Sequence, residues 1–381
     1  MTDARPLRIA FIGARGVGNT YSGIETYYEE VGSRLAARGH HVTAYCRTHF
    51  TPDVETYRGI HVRRLPSLRS KHLETISHSV LSLLDCLPRR FDVVQFHAIG
   101  SAPLALLPRI FGKKTVVSVR GLDWQRGKWG GFARRVLQLG EWASARAPSA
   151  TSVVSGVLQE HYATTHGRRP AMIPNAVPIP ERAPLDRIAK FGLRERGYLL
   201  FAGRLSPEKQ VHVILEALKP LHDQGIGTDI DLAIAGGTSY SEDYIRQIRD
   251  MAWDRVHFLG QVDRATMNEL YSHCHAYILP SVMEGLSVGL LEATSFGCAI
   301  LTTDIPENVE VVGDAALTFP VGDVEALRAH LRAVLEDPGH AEDLRRRALE
   351  RAEARPDWDE VTELTEALYL DLVGRASVAR P

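Results

Sequence analysis

Two series of short apolar runs, each followed by a longer amphipathic stretch, constrain this chain more than any other feature. The first series reads RIAFIG, HVTAYC, HVRRL, DVVQFH, KTVVSV and ATSVVS; the second reads YLLFAG, DLAIAG, RVHFLG, AYILP, AILTT and ALTF. Runs this short suit buried strands, and the amphipathic stretches between them suit helices. Their alternation predicts an α/β chain with two doubly wound parallel sheets, hence two Rossmann-like domains. IPNAVPIPERAPLD, residues 173–186, holds four prolines in fourteen residues and reads as the linker. The expected domains are 1–178 and 184–356, followed by an amphipathic tail, WDEVTELTEALYLDLV, within residues 357–381. In such sheets ligands bind in a cleft outside the carboxyl ends of the strands, so those loops are where function is sought.

The second series carries the densest candidate. HAYILPS ends as a strand meeting a loop, and EGLSVGLLE follows, with Glu284 and Glu292 eight residues apart. Gly285 permits a tight turn and Ser287 suits a helix N-cap. The amides around Leu286, Ser287 and Val288 then face an anion at a helix N-terminus, and Glu292 lies where a carboxylate can accept hydrogen bonds from sugar hydroxyls. Taken alone, the stretch is equally a capped loop and a solvated helix face. Upstream, YLLFAGRL ends a strand, Pro207 turns the chain, and a helix is expected near Lys209. Arg204 and Lys209 straddle that loop, and two cations with helix amides can neutralise a diphosphate without a metal. A pair of surface charges is the plainer alternative. Asp229-Ile230-Asp231 imitates a metal-binding DxD but opens the strand DLAIAG, so it reads as strand-edge charge.

In the first series, IGARGVG follows a strand, but Gly13, Gly16, Gly18 and Gly23 do not make GxGxxG, and the second strand ends in Arg47 without an acid for an adenosine ribose. An NADP-type oxidoreductase is the residual reading of Arg47. Gly16, Gly18 and Gly23 instead suit a close-approach loop entering a helix near Glu25 and facing a diphosphate. His97 closes DVVQFH at a strand's carboxyl end, where a functional histidine is favoured over a structural one.

With 381 residues and 44% hydrophobic content, the chain can fill two cores. No apolar stretch approaches the roughly 18 residues that cross a bilayer, and RIAFIG is too short for a signal peptide. Cys46, Cys86, Cys274 and Cys298 lack CxxC spacing and are expected as reduced core residues of a cytoplasmic protein. His273-Cys274-His275 is not expected to hold a metal, because adjacent residues point in different directions. The net charge of -1 conceals an asymmetry: residues 1–180 carry 24 Lys+Arg against 12 Asp+Glu, and the remainder carries 21 against 34. A basic first half with apolar interleaving, as in LRSKHLETISHSVLSLLDCLPRR and RIFGKK, fits an anionic membrane surface at its inner face; attraction between the halves, or plain solvated faces, would also account for it. No nucleic-acid motif accompanies the charge.

GRLSPEK, LPSVMEGLSVGLLEATSFGCAIL, PENVEVVGDAALTFPVGD, IGARGVGNTYSGIETYYEE, GLDWQRGKWG and IPNAV together resemble the family-4 glycosyltransferases of the two-domain GT-B type. The first and fifth strand–loop blocks of the amino-terminal half resemble the bacterial branch that builds surface polysaccharides, including rhamnosyltransferase-annotated members. The resemblance implies an acceptor-side first domain, rejoined by a crossover tail helix, and a donor-binding second domain. It implies hexosyl transfer with retention from a nucleoside-diphosphate-sugar, the only small molecule required, to a glycan or lipid-linked acceptor. Arg204 and Lys209 would hold the phosphates, Glu284 and the amides after Gly285 the donor sugar, and Glu292 the ribose. Gly23, Glu25, Arg120 and Asp123 would lie on the acceptor and donor-sugar side. Family members commonly carry histidine where this chain has Arg120. Arg120 is thus expected either to meet an acidic donor such as a uronate or to pair with Asp123 or Glu25. A GT-B sugar-nucleotide epimerase and a catalytically silent sugar-nucleotide-binding subunit are the alternatives.

Overall fold

The computed structural model describes residues 5–18, 23–69, 73–125, 130–237 and 242–374. Parts of four sequence blocks lie outside them: 19–22 of the glycine-rich block, 70–72 of the basic amphipathic stretch, 126–129 of GLDWQRGKWG, and the end of the tail from 375. The chain divides into two compact units. One comprises the residues to Ala176 and those from Pro356; the other is Val177–Arg355.

In the first unit, β1 (Arg8–Ile12), α1 (Gly23–Ala37), β2 (His41–Arg47), β3 (Thr56–Tyr57), β4 (Ile60–Leu65) and α2 (Glu74–Cys86) precede β5 (Val93–His97) and the short α3 (Leu106–Ile110). Then come β6 (Lys114–Val119), α4 (Gly131–Ser144), β7 (Ala150–Val153), α5 (Gly156–His166) and β8 (Ala171–Met172). The sheet order is β3-β4-β2-β1-β5-β6-β7-β8. All pairings are parallel except β3–β4, an antiparallel edge ribbon. The ribbon's short strand was not legible as a strand because TYRG lacks an apolar run. The central strands are buried beyond their first residues, as helices on both faces demand, and β5 is buried at every position.

The second unit contains β9 (Tyr198–Ala202), α6 (Val211–Asp223), β10 (Asp231–Ala235), α7 (Glu242–Asp250), β11 (Val256–Gly260), α8 (Arg264–His273) and β12 (Ala276–Leu279). It continues with α9 (Val288–Ser295), β13 (Ile300–Thr303), α10 (Pro306–Val312), β14 (Ala316–Phe319), α11 (Val324–Glu336) and α12 (Pro338–Glu353). Its sheet, β11-β10-β9-β12-β13-β14, is parallel throughout. The strand order reverses direction between β9 and β12, which is the switch point where loops diverge and leave room for a ligand.

All four cysteines are unpaired and buried. His273 reaches Ala183 O at 2.8 Å, His275 reaches Val334 O at 2.8 Å, and Cys274 faces Cys298, so the three neighbours point to three different partners. Asp231 pairs with Arg255 and His257, and Asp229 with Arg194, leaving the DxD-like stretch tied to basic residues around the start of β10.

The last helix, α13 (Trp358–Leu372), belongs to the first unit. Its N-terminus has a reciprocal Asp357/Glu360 capping box. Trp358, Val361 and Tyr369 join the first core, each contributing roughly 1.5–3 kcal/mol by burial. Tyr27 and Thr365 hydroxyls meet at 3.1 Å. At the rim, Glu366 lies 2.8 Å from His40 Nε2 and 2.7 Å from Arg38. Hydrogen bonding from His40 first, and then from Arg38 against the effect of partial burial, pushes the Glu366 carboxyl down from 4.5 to about 2. A folded value below the unfolded one stabilises above pH 4.5 and is lost as pH falls through about 2. Glu366→Gln is expected to cost about 1–2 kcal/mol at neutral pH, after allowance for solvent screening. Melts at neutral pH and near pH 3 check this: the variant's deficit should shrink in acid.

Candidate active site

In the second unit, the loops after β9 and β12 lie side by side because those strands pair directly. Val282 N–H donates to Glu208 O at 3.0 Å and ties the loops together. Lys209 Nζ donates to Glu284 Oε1, and the two side chains are only 13% and 12% exposed. The family resemblance gave these residues separate partners; in the folded chain they are each other's counter-ion. The helix expected at Lys209 begins two residues later. Pro207–Lys209 form a single 3-10 turn, and Gln210 sits at φ 46° before α6 starts at Val211. A non-glycine residue in that region stores strain, and the kink sets the lysine apart from α6. Arg204 is more exposed and approaches Glu208 at 4.0 Å.

Ser287 caps α9, its Oγ accepting from Leu290 N at 3.3 Å. Gly285, Leu286 and Val288 are half-buried around it. Glu292, one turn into α9, accepts from Arg264 Nη1. Tyr277 and Tyr271 floor the site. Tyr277 hydroxyl donates to Ala202 O at 3.3 Å, and a Cβ at Gly289 would come within 2.7 Å of that hydroxyl. Burial first, then the nearby Glu284 and Glu292 charges, push the Tyr277 hydroxyl well above its ordinary pKa. Gly236 closes the floor: at φ 157°, its Cβ would fall 1.7 Å from Gly203 O. Glu307, at the start of α10, was not singled out from sequence; burial first, with Glu284 adding, raises its carboxyl.

The first unit corrects several expectations. The loop after β1 spends amides internally: Arg15 N–H donates to Glu25 at 2.9 Å and Gly18 N–H to Glu29 at 2.8 Å. Gly16 is a close approach to Thr51, whose Oγ1 a Cβ would meet at 1.7 Å. In this structure Glu29 takes up the Gly18 amide, and Gly16 packs against the β2–β3 connection. Gly23 opens α1 and Glu25 is buried in its first turn. His97 has no exposed surface, correcting its placement toward a ligand. It sits among Phe11, Tyr27 and Tyr28, with Gln95 Nε2 at 3.1 Å from its Nε2. Burial, and then Arg120, hold its imidazole well below the usual range, hence neutral. Arg47 is buried and paired with Glu74 at 3.0 Å, which removes the phosphate-reading role that an oxidoreductase would need.

Arg120 pairs with neither Asp123 nor Glu25. Its Nη1 donates to Asn175 Oδ1 and its guanidinium lies 4.4 Å from the Tyr27 ring centroid. Burial pushes its pKa down to about 10. Among the described residues it has no carboxylate partner. Asp123 begins a 3-10 turn, Asp123–Gln125, directly after it.

Residues 187–352 match the family described as glycosyl transferases group 1, and residues 22–176 match the glycosyl transferase 4-like domain. Both units thus match glycosyltransferase family models, one over most of each unit. The O-antigen chain mannosyltransferase B of Escherichia coli is 29% identical over 189 residues, 49% of each chain. The chain thus spans about half the length of that curated relative. Among solved structures, the sucrose-phosphate synthase of Thermosynechococcus elongatus superposes with a TM-score of 0.81 at 20% identity, covering 97% of this chain and 99% of that one. Anabaena HepE in complex with UDP-glucose gives 0.76 at 15% identity, covering 95% and 99%. At such identities the structural likeness establishes the GT-B fold of this chain.

Proposed function

We propose that this chain is a retaining glycosyltransferase that moves a sugar from a nucleoside diphosphate to a glycan or lipid-linked acceptor in polysaccharide assembly. The observation that carries the reading is the Lys209–Glu284 pair on adjoining strand ends, with Glu292 one turn into the neighbouring helix. A departing diphosphate draws Lys209 away from Glu284, with Arg204 adding charge from the exposed side. Glu284 and the amides at Gly285–Val288 are then available to the sugar's hydroxyls, and Glu292 to the ribose. With departure and attack on one face of the sugar, no protein base is required, and positioning with leaving-group stabilisation supplies the catalysis. The lysine, arginine and amides do this without metal. HepE, whose complex contains UDP-glucose, supports a sugar-nucleotide donor, and the E. coli mannosyltransferase supports a polysaccharide acceptor. Acceptor-dependent release of nucleoside diphosphate across a panel of UDP-, GDP- and dTDP-sugars tests the reading. Release without an acceptor, or none with any donor, would favour the epimerase or the silent subunit.

The acceptor's setting is argued from the first unit's surface. Among the described residues no helix is long and apolar enough to cross a membrane. Yet α4 exposes Phe132, Val136, Leu139 and Trp142 along one side, and Ile110 at the end of α3 is exposed with Phe111 just beyond it. Arg109 reaches the carbonyls of Arg146, Ala147 and Pro148 past the end of α4, placing the two apolar sides in one neighbourhood. With Arg134, Arg135 and Arg146 alongside, this surface suits a peripheral contact with anionic lipid. Cosedimentation with phosphatidylglycerol-containing vesicles is expected, weakening with salt and in Phe132→Ser/Trp142→Ser; binding unchanged in that variant would remove the surface from the proposal.

A further inference from the structure

Away from the donor loops, α4 and α5 bring three metal-ligating side chains to one point. Glu141 on α4 is 5% exposed. His161 Nε2 lies 2.7 Å, and His166 Nε2 2.8 Å, from the same carboxylate oxygen, Glu141 Oε1. One ligand atom from each residue lies within 4.8 Å of the other two. The imidazole rings stand nearly perpendicular, at 83°, with centroids 6.3 Å apart, so both nitrogens converge on the oxygen from different directions.

We infer that Glu141, His161 and His166 form a binding site for a divalent transition-metal ion of the Zn²⁺ class. Two imidazole nitrogens and one carboxylate oxygen make a donor set that suits Zn²⁺, Co²⁺ or Ni²⁺, whereas Mg²⁺ and Ca²⁺ favour oxygen alone. Three protein ligands leave a fourth position for water. The surroundings are those of a supported site. The other oxygen, Glu141 Oε2, accepts from Trp124 Nε1 at 2.6 Å, which fixes the carboxylate's rotation. Behind the histidines, the Tyr162 ring packs tilted at 56°, 5.2 Å from the His166 ring, and its hydroxyl meets Ser144 Oγ at 2.6 Å. His166 is the last residue of α5, held by Gly167 in the left-handed conformation that ends the helix.

The ion would join α4 to α5 and, through Trp124, hold the Asp123–Gln125 turn that follows Arg120. Ligands drawn from two helices and a supporting contact from a third element are what a metal can clamp at once.

The test uses tag-free full-length protein, stripped with chelator and studied without any sugar nucleotide. CoCl₂ should produce a visible d–d absorption band saturating near one equivalent, ZnCl₂ should abolish the band, and either ion should raise the melting temperature. MgCl₂ should do neither. His166→Ala and Glu141→Gln should lose both signals while keeping the far-ultraviolet spectrum. Should those buried positions prove necessary for folding, the more exposed His161→Gln provides the same comparison. No band and no melting shift with the parent protein, or equal signals in His161→Gln, would overturn the site. Because no donor is present, either result leaves the glycosyl-transfer reading to its own assay.

Discussion

Lys209→Ala is expected to lower acceptor-dependent nucleoside diphosphate release roughly a thousandfold, about 4 kcal/mol of lost leaving-group stabilisation. The size follows from burial. Lys209 is 13% exposed and faces Glu284 across paired strand ends, where a cation's field is weakly screened. Arg204, 44% exposed, should matter less, roughly tenfold to a hundredfold, because water and salt screen it. The double variant should sink below either single one. Glu284 left without its lysine is a half-buried unpaired carboxylate, so each variant's melting temperature must be read beside its rate. A folded Lys209→Ala enzyme working within threefold of the parent would remove the phosphate role from this residue.

Arg120→His is expected to give the second large effect, on the choice of donor. The guanidinium is held by the Asn175 amide and the Tyr27 ring, with no carboxylate among its described partners. A charge so placed carries an unmet demand for an anion. If the donor sugar supplies one, as a uronate would, Arg120→His should erode the preference for it over a neutral sugar by tenfold or more, about 1.4 kcal/mol or above. Competition between uronate and neutral donors measures this directly, and an unchanged ratio would leave Arg120 with a packing role.

Both variants show how unevenly function could be read from the sequence. Strands announce themselves by composition, so β9 and β12 and the loops after them were legible before any fold was known. That legibility extended to Ser287 as a cap, because capping depends on residues three apart. It failed where pairing is long-range. Nothing local to Arg120 points to Asn175, which lies 55 residues away in a stretch read as linker. Glu25 and Glu29 likewise consume the amides of a loop that glycine content alone made attractive to phosphate. His97 stands at the end of a strand, as a functional histidine would, but aromatic rings from β1 and α1 enclose it. Alternation within a strand does not tell which end residues remain open. The early break at Gln210 was equally hidden, since a residue with a side chain gives no warning of positive φ.

The return of α13 to the first unit has a consequence for how such chains can be rebuilt. Val177–Arg355 is an insertion within a single parent fold, so the first unit exists only as two separated pieces of coding sequence. A single crossover in the linker would exchange the second unit together with a foreign Trp358, Val361 and Tyr369, and so graft a mismatched plug into the recipient's core. Donor-binding units should therefore be traded as cassettes with two junctions, one near Ala176 and one near Pro356, leaving the terminal helix with its native host.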